Sequence, residues 1–126
     1  MDCYFGSLQL PKASPVEKSV VVSFHIPEIG IKFKAPFKAV DPLHGDLAAL
    51  LALLEFIDSN QKYFSNHTYQ IYGNNIRVVN GVNHLTPLPG HFGHLIERAE
   101  TYRQKYRFSL EWIPARNNPE FDELFD

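Results

Sequence analysis

The chain has 126 residues, a formal net charge of −2, 44% hydrophobic residues and one cysteine. A chain of this length buries roughly two thirds of its surface on folding, so we expect one domain over residues 1–126 without a structural metal. The lone Cys3 excludes an internal disulfide framework. The longest apolar run, residues 47–54, is far shorter than the about 20 residues of a membrane span. We therefore expect a cytoplasmic protein that does not enter a membrane.

Alternation of side chains predicts an antiparallel start to a sheet. Residues 3–10 form a short apolar run that ends at Pro11. Residues 19–26 and 31–38 then alternate with the period of half-buried strands, and a turn at 27–30 joins them. Lysines and Pro36 along the third strand are typical of a sheet edge protected against pairing with another chain.

Helical periodicity begins after Asp41-Pro42, a pair that suits the cap and first position of a helix. One core stripe is predicted by apolar residues at helical spacing, namely Leu47, Leu50, Leu51, Leu54 and Ile57. The remaining chain predicts a strand at 68–72, a short helix at 76–82, a helix carrying Leu95 and Ala99, a strand at 108–113 and a terminal helix from Pro119. Since strand-helix-strand connections are right-handed, the later strands join in parallel. The predicted fold class is α/β, a mixed five-stranded sheet of three antiparallel strands followed by parallel additions, with helices mainly on one face.

Three segments carry a resemblance to a known family. Residues 46–55, DLAALLALLE, resemble a helix in which an acidic metal ligand is followed by small and apolar residues. Residues 69–82, YQIYGNNIRVVNGV, are similar to a strand that ends in Ser-Asp-Ser and leads into Val-Val-Asn-Gly-Ile. Residues 110–122, LEWIPARNNPEFD, resemble a Trp-Val-Pro-Arg strand followed by Asn-x-Glu-Ala-Asp. In this order the segments resemble the ribonuclease H-like family and imply its fold.

The resemblance also implies an acidic site that this chain has only in part. Asp46, Asn74 and Asp122 fall on the catalytic positions, and Phe5 falls where the family has its first-strand aspartate. Hydrolysis by two Mg²⁺ or Mn²⁺ ions needs clustered carboxylates, whereas Asp46 and Asp122 together predict one weakly held ion at most. The alternatives are an acid in the first turn of a helix for Asp46, plain surface for Asp122 and turn residues for Asn74 and Asn75.

Three functions remain open from the sequence, which does not settle whether the chain is an enzyme. The first is a catalytically impaired RNase H-like domain that binds RNA or an RNA/DNA hybrid, with contacts from Arg77, Arg116 and Asn118. The second is a metal-dependent ribonuclease H-type endonuclease whose missing ligand is supplied by Asp2 or by another non-standard site. The third is a protein-interaction or self-association module, with a homodimer formed through the second face of the sheet.

Overall fold

The computed structural model describes residues 1–9, 19–39, 41–64 and 67–119. Five strands form one sheet in the order β3-β2-β1-β4-β5. The elements in chain order are β1 (Asp2–Gln9), β2 (Ser19–Ile26), β3 (Ile31–Lys38), α1 (Pro42–Ser59), α2 (Gln61–Phe64), β4 (Tyr69–Gly73), α3 (Ile76–Val82), α4 (Gly93–Lys105) and β5 (Phe108–Trp112).

The strand directions confirm the predicted mixed sheet. β1, β2 and β3 pair antiparallel, β4 lies parallel to β1, and β5 lies parallel to β4. β3 is at the edge, as its lysines and Pro36 predicted. The turn between β2 and β3 ends at Gly30, whose φ of 67° is a left-handed conformation that glycine adopts without a steric penalty.

Most predicted boundaries agree with the structure to within one residue. The bounds of β2, β3 and α3 match, whereas β1, β4 and β5 each differ by one residue at one or both ends. The four-residue α2 was not predicted, because so short a helix shows no periodicity and buries only Phe64. The predicted turn at 11–15 and the terminal helix beyond Pro119 lie outside the described residues.

Helix α1 is the centre of the core. Its start is capped as predicted, since the Asp41 carboxylate accepts a hydrogen bond from the His44 backbone N–H at 2.8 Å. The predicted apolar stripe is buried, and Leu43, Ala49 and Leu53 are buried as well. They are buried because α1 contacts β1 and β2 on one side and α3 and α4 on another. Within the described ranges, no helix combines the length and apolarity needed to cross a membrane.

The second face of the sheet lies opposite α1. The strand registers align His25, Tyr4, Tyr72 and Glu111 in one row across this face. The rings of Tyr4 and Tyr72 stack at 5.3 Å between centroids. A homodimer through this face stays a prediction.

A hydrogen-bonded cluster joins the C-terminal ends of α1 and α4. Lys105 Nζ donates to Asp58 Oδ1 at 2.6 Å, and Tyr106 Oη donates to the same oxygen. The bonds from Lys105 and Tyr106 hold the pKa of Asp58 below its usual range.

This cluster predicts a pH-dependent contribution to stability. A carboxyl group whose pKa is lowered by folding stabilises the native state above its unfolded pKa of about 3.9, and this contribution disappears as the pH falls through the folded pKa. We expect Asp58→Asn to lower the thermal midpoint at neutral pH, with the difference from the unmodified protein shrinking below about pH 4. Thermal melts across this range measure it, with Glu55→Gln, an exposed carboxyl on the same helix, as the control. A difference that persists unchanged in strong acid would contradict the assignment.

Candidate functional site

The N-terminal turn of α1 lies close against the sheet. A Cβ at Gly45 would be 2.9 Å from Ser7 Oγ and 3.2 Å from Val20 Cγ2, so only glycine allows this approach. The next residue, Asp46, is thereby placed beside β1 with 8% of its surface exposed.

Both carboxylate oxygens of Asp46 accept hydrogen bonds from the protein. The Ser7 backbone N–H and Ser7 Oγ each donate to Oδ1 at 3.0 Å. Asn75 Nδ2 donates to Oδ2 at 2.8 Å. Burial raises the pKa of Asp46, and the bonds from Asn75 and Ser7 act in the opposite direction. Asp46 therefore links β1 and α1 to the start of α3.

Asn75 serves two elements at once. Its Oδ1 accepts from the backbone N–H groups of Arg77 and Val78 and so caps α3, while its Nδ2 binds Asp46. Sequence reasoning treated Asn75 only as a turn residue. An asparagine directly before a helix is, however, a recognised cap, and this signal identifies it.

Phe5 lies in the middle of β1 with 1% of its surface exposed. It pairs in register with Gly73, the last residue of β4. A Cβ at Gly73 would be 2.4 Å from Phe5 Cζ and 2.7 Å from Cε1, so the aromatic ring lies across the space that any other residue at position 73 would use.

Asn74 is held by two side chains from the C-terminal part of the chain. Asn118 Nδ2 donates to Asn74 Oδ1 at 2.7 Å and to the Phe5 carbonyl at 3.0 Å. Trp112 Nε1 donates to the Asn74 carbonyl at 3.1 Å. Asn118 is fully buried, so the prediction that its side chain contacts nucleic acid is corrected to a role in positioning Asn74.

The surface around this network is basic and partly apolar. Arg77 follows the capped start of α3, and Arg116 lies in the turn between β5 and Asn118; both are exposed. Trp112 and Ile76 are 46% and 51% exposed. Hydrogen bonds thus connect Asp46 and Asn74 to the elements that carry Arg77 and Arg116. A shared role of these four residues in a site stays a prediction.

Solved structures share this arrangement of elements, although the sequence matches no protein-family model and no curated protein. LC11-RNase H1, isolated from compost by a metagenomic approach and solved with an RNA/DNA hybrid, aligns at a TM-score of 0.76 and 12% identity over 98% of this chain and 91% of that one. RNase H1 from the archaeon Halobacterium salinarum aligns at a TM-score of 0.73 and 16% identity over 98% and 92%. The chain has the ribonuclease H fold. The N-terminal RNase H domain of Mycobacterium tuberculosis rv2228c agrees, at a TM-score of 0.68 and 13% identity over 98% and 89%.

Of the two remaining candidate acids, Asp2 has no hydrogen bond to this network within the described residues. Asp122 lies outside them. Asp2 is exposed at the start of β1. It is five residues from Ser7, which is about 16 Å along an extended strand, and alternation directs it to the opposite face. The structure therefore places Asp2 away from Asp46, and a non-standard site that includes Asp2 stays a prediction.

The described residues do not fit a pair of divalent ions. Phe5 supplies no side-chain oxygen, both oxygens of Asp46 accept from protein donors, and Asn74 Oδ1 is bonded to an amide. No group of three or more His, Cys, Asp or Glu side chains that could hold a metal occurs in the described part of the chain. A weak one-ion site formed with Asp122 stays a prediction.

The contact between Phe5 and Gly73 predicts a coupled effect on stability. Adding a methyl group to a closely packed position typically costs about 1–3 kcal/mol, so we expect Gly73→Ala to destabilise the fold by this amount. Phe5→Leu also destabilises, but the double variant is more stable than the sum of the single effects predicts, since the smaller side chain makes room for the methyl group. Urea unfolding of the four proteins measures the coupling.

The matched control is Gly93→Ala, because nothing lies within 4 Å of a Cβ at that position. It is expected to leave stability nearly unchanged or to raise it slightly, since alanine is the better helix former. Equal effects of the substitutions at 73 and 93 would contradict the contact.

Proposed function

We propose that this RNase H-like domain binds nucleic acid and hydrolyses it poorly or not at all. The observation that carries the proposal is the replacement of the acidic cluster by a packed and hydrogen-bonded network. Phe5 fills the position of the first acidic ligand in the resemblance, and Asp46 directs both oxygens to protein donors. A pair of Mg²⁺ ions needs carboxylate oxygens that are open to the metal.

Nucleic-acid binding is supported by the fold and by the charges at its strand ends. LC11-RNase H1, which shares the fold, was solved in complex with an RNA/DNA hybrid. In this chain Arg77 and Arg116 are exposed, two residues after Asn75 and two residues before Asn118 in the sequence. A guanidinium group binds a phosphate through two parallel N–H donors. RNA or an RNA/DNA hybrid is therefore the proposed partner.

Placement of these arginines is fixed by the backbone. The Arg77 N–H donates to Asn75 Oδ1 at 3.1 Å. The turn that carries Arg116 is tied at both ends, because the Ile113 N–H donates to the Gly73 carbonyl and Asn118 binds Phe5 and Asn74. Fixed attachment points reduce the conformational entropy lost on binding. The cytoplasmic location and the homodimer remain proposals alongside this one.

The proposal predicts little or no cleavage. The purified domain is incubated with a labelled RNA/DNA hybrid in Mg²⁺ and separately in Mn²⁺. We expect it to cut the RNA strand no faster than buffer does, because it lacks a pair of carboxylate-held metal ions that would activate and position the attacking water. An active RNase H on the same hybrid is the positive control. Robust cleavage that disappears in Asp46→Asn and Asp122→Asn would contradict the proposal and establish a metal-dependent endonuclease instead.

Binding is expected to depend steeply on salt and on two arginines. Removing one phosphate-binding side chain lowers the slope of log affinity against log salt by about 0.7 for a single strand and about 0.9 for B-form DNA. Arg77→Ala and Arg116→Ala should each weaken binding and reduce the slope by one such step. Fluorescence anisotropy of a labelled strand and a labelled hybrid measures both. The matched control is Arg98→Ala, an exposed arginine on α4. Affinity independent of salt, or equal in all three variants, would count against phosphate binding at this site.

A further inference from the structure

Within the part of the chain that the structure describes, Trp112 is the one large aromatic side chain at the strand ends that is substantially exposed. It follows the buried Leu110 at the end of β5, in register with Gly73. Trp112 therefore lies beside the chain turn at Asn74. An indole is not needed there to fill the hydrophobic core.

The indole is held by a hydrogen bond from the N–H group on its edge. Trp112 Nε1 donates to the Asn74 carbonyl at 3.1 Å, while 46% of the residue stays exposed. Among the described residues, no ring contact involves Trp112, in contrast to the stacked pairs Tyr4–Tyr72 and Phe24–Phe33. The bond satisfies the polar N–H group and leaves ring surface open to solvent.

Among the described residues, the charges next to Trp112 and Asn74 in the sequence favour a polyanion. Arg77 is three residues beyond Asn74, and Arg116 is four residues beyond Trp112; both are exposed. The exposed Glu111 alternates to the other face of β5, and the Asp46 carboxylate is buried and hydrogen bonded. An open aromatic face on the same end of the sheet as segments that carry exposed arginines offers the two features that bind an unpaired nucleotide, since the base stacks and the phosphates pair with guanidinium groups.

We propose that Trp112 is a stacking platform for an unpaired base, so that the domain prefers single-stranded nucleic acid to a fully paired hybrid. This inference rests on the proposed function and narrows its ligand. A base within a continuous duplex has both faces covered by its neighbours, whereas a base in a single strand offers one to the indole. Arg77 and Arg116 would hold the phosphates on either side of that base.

The sequence provides a direct reporter, because Trp112 is the only tryptophan in the chain. Unlabelled oligo(U) is titrated into the full chain at low salt while the tryptophan emission is recorded, and anisotropy of a labelled copy measures binding independently. We expect emission to be quenched with the same midpoint as binding. An abasic strand of equal length, which keeps the phosphates and lacks the bases, should bind more weakly and leave the emission unchanged.

Variants separate stacking from folding. Trp112→Ala should weaken oligo(U) binding about fivefold to a hundredfold, as expected for loss of one stacked base, and bring it to the affinity of the abasic strand. Trp112→Phe keeps a ring and should recover part of the loss. The control is Tyr63→Ala, which removes an exposed aromatic ring on α2. Helix α2 follows the C-terminal end of α1, and the two ends of α1 are about 27 Å apart.

The outcomes distinguish this inference from the function on which it rests. If the unmodified protein binds oligo(U) without a change in tryptophan emission, and Trp112→Ala binds it with the same affinity, the stacking role is overturned. Nucleic-acid binding would then remain as proposed. Tighter binding of a fully paired hybrid than of oligo(U) would overturn the stated preference. No binding of any strand at low salt would refute the proposed function and the inference together. Emission that changes with protein concentration alone would identify the patch as a protein interface and overturn the inference.

Discussion

The hydrogen bonds to the Asp46 carboxylate are the interaction on which the arrangement of the strand ends depends. They connect Ser7 on β1 with Asn75 at the start of α3, 29 residues beyond Asp46. A carboxylate removed from water is costly unless donors replace its hydration, and bonds to a charged acceptor are stronger than neutral ones. The same Asn75 caps α3. Loss of the charge would therefore loosen a helix start as well as a contact between α1 and the sheet.

The rest of this network consists of side-chain amide groups, whereas an acidic metal site would need charged carboxylates. Asn118 donates to the Phe5 carbonyl and to Asn74, which joins β1, the end of β4 and the turn after β5. Each N–H group in these contacts is paired with an oxygen acceptor, as is usual for buried polar groups. The physical difference from a metal centre is that such a centre leaves carboxylates facing each other and depends on the ion to offset their repulsion. Here Phe5 and Gly73 fill the remaining space instead.

Much of the fold could be predicted from the sequence because its signals are local. Alternation located β2 and β3, and lysines with Pro36 identified the edge strand. The site was predictable only in part, since motif matching aligns residue identities and does not give side-chain direction. Asn118 illustrates this limit, because it lies in a polar segment that is typical of a protein surface. Its hydrogen-bond acceptor, the carbonyl of Phe5, is 113 residues away in sequence and is satisfied by this buried amide. The contact of Phe5 with Gly73 is equally non-local, although a glycine at a strand end is a sign of close approach.

The buried network and the exposed surface around it have different consequences for binding. The network fixes positions but presents little charge, since its carboxylate is covered and its amides bond to one another. In the proposed function the attraction for phosphates comes from Arg77 and Arg116, and contacts by two exposed cations are weakened readily by salt. Affinity beyond that level requires a contact that salt does not screen. Trp112 is anchored to the same network and offers such a contact through its ring. The hydrogen bonds of Asn74 thus also hold in place the surface that, in the proposed function, binds a strand.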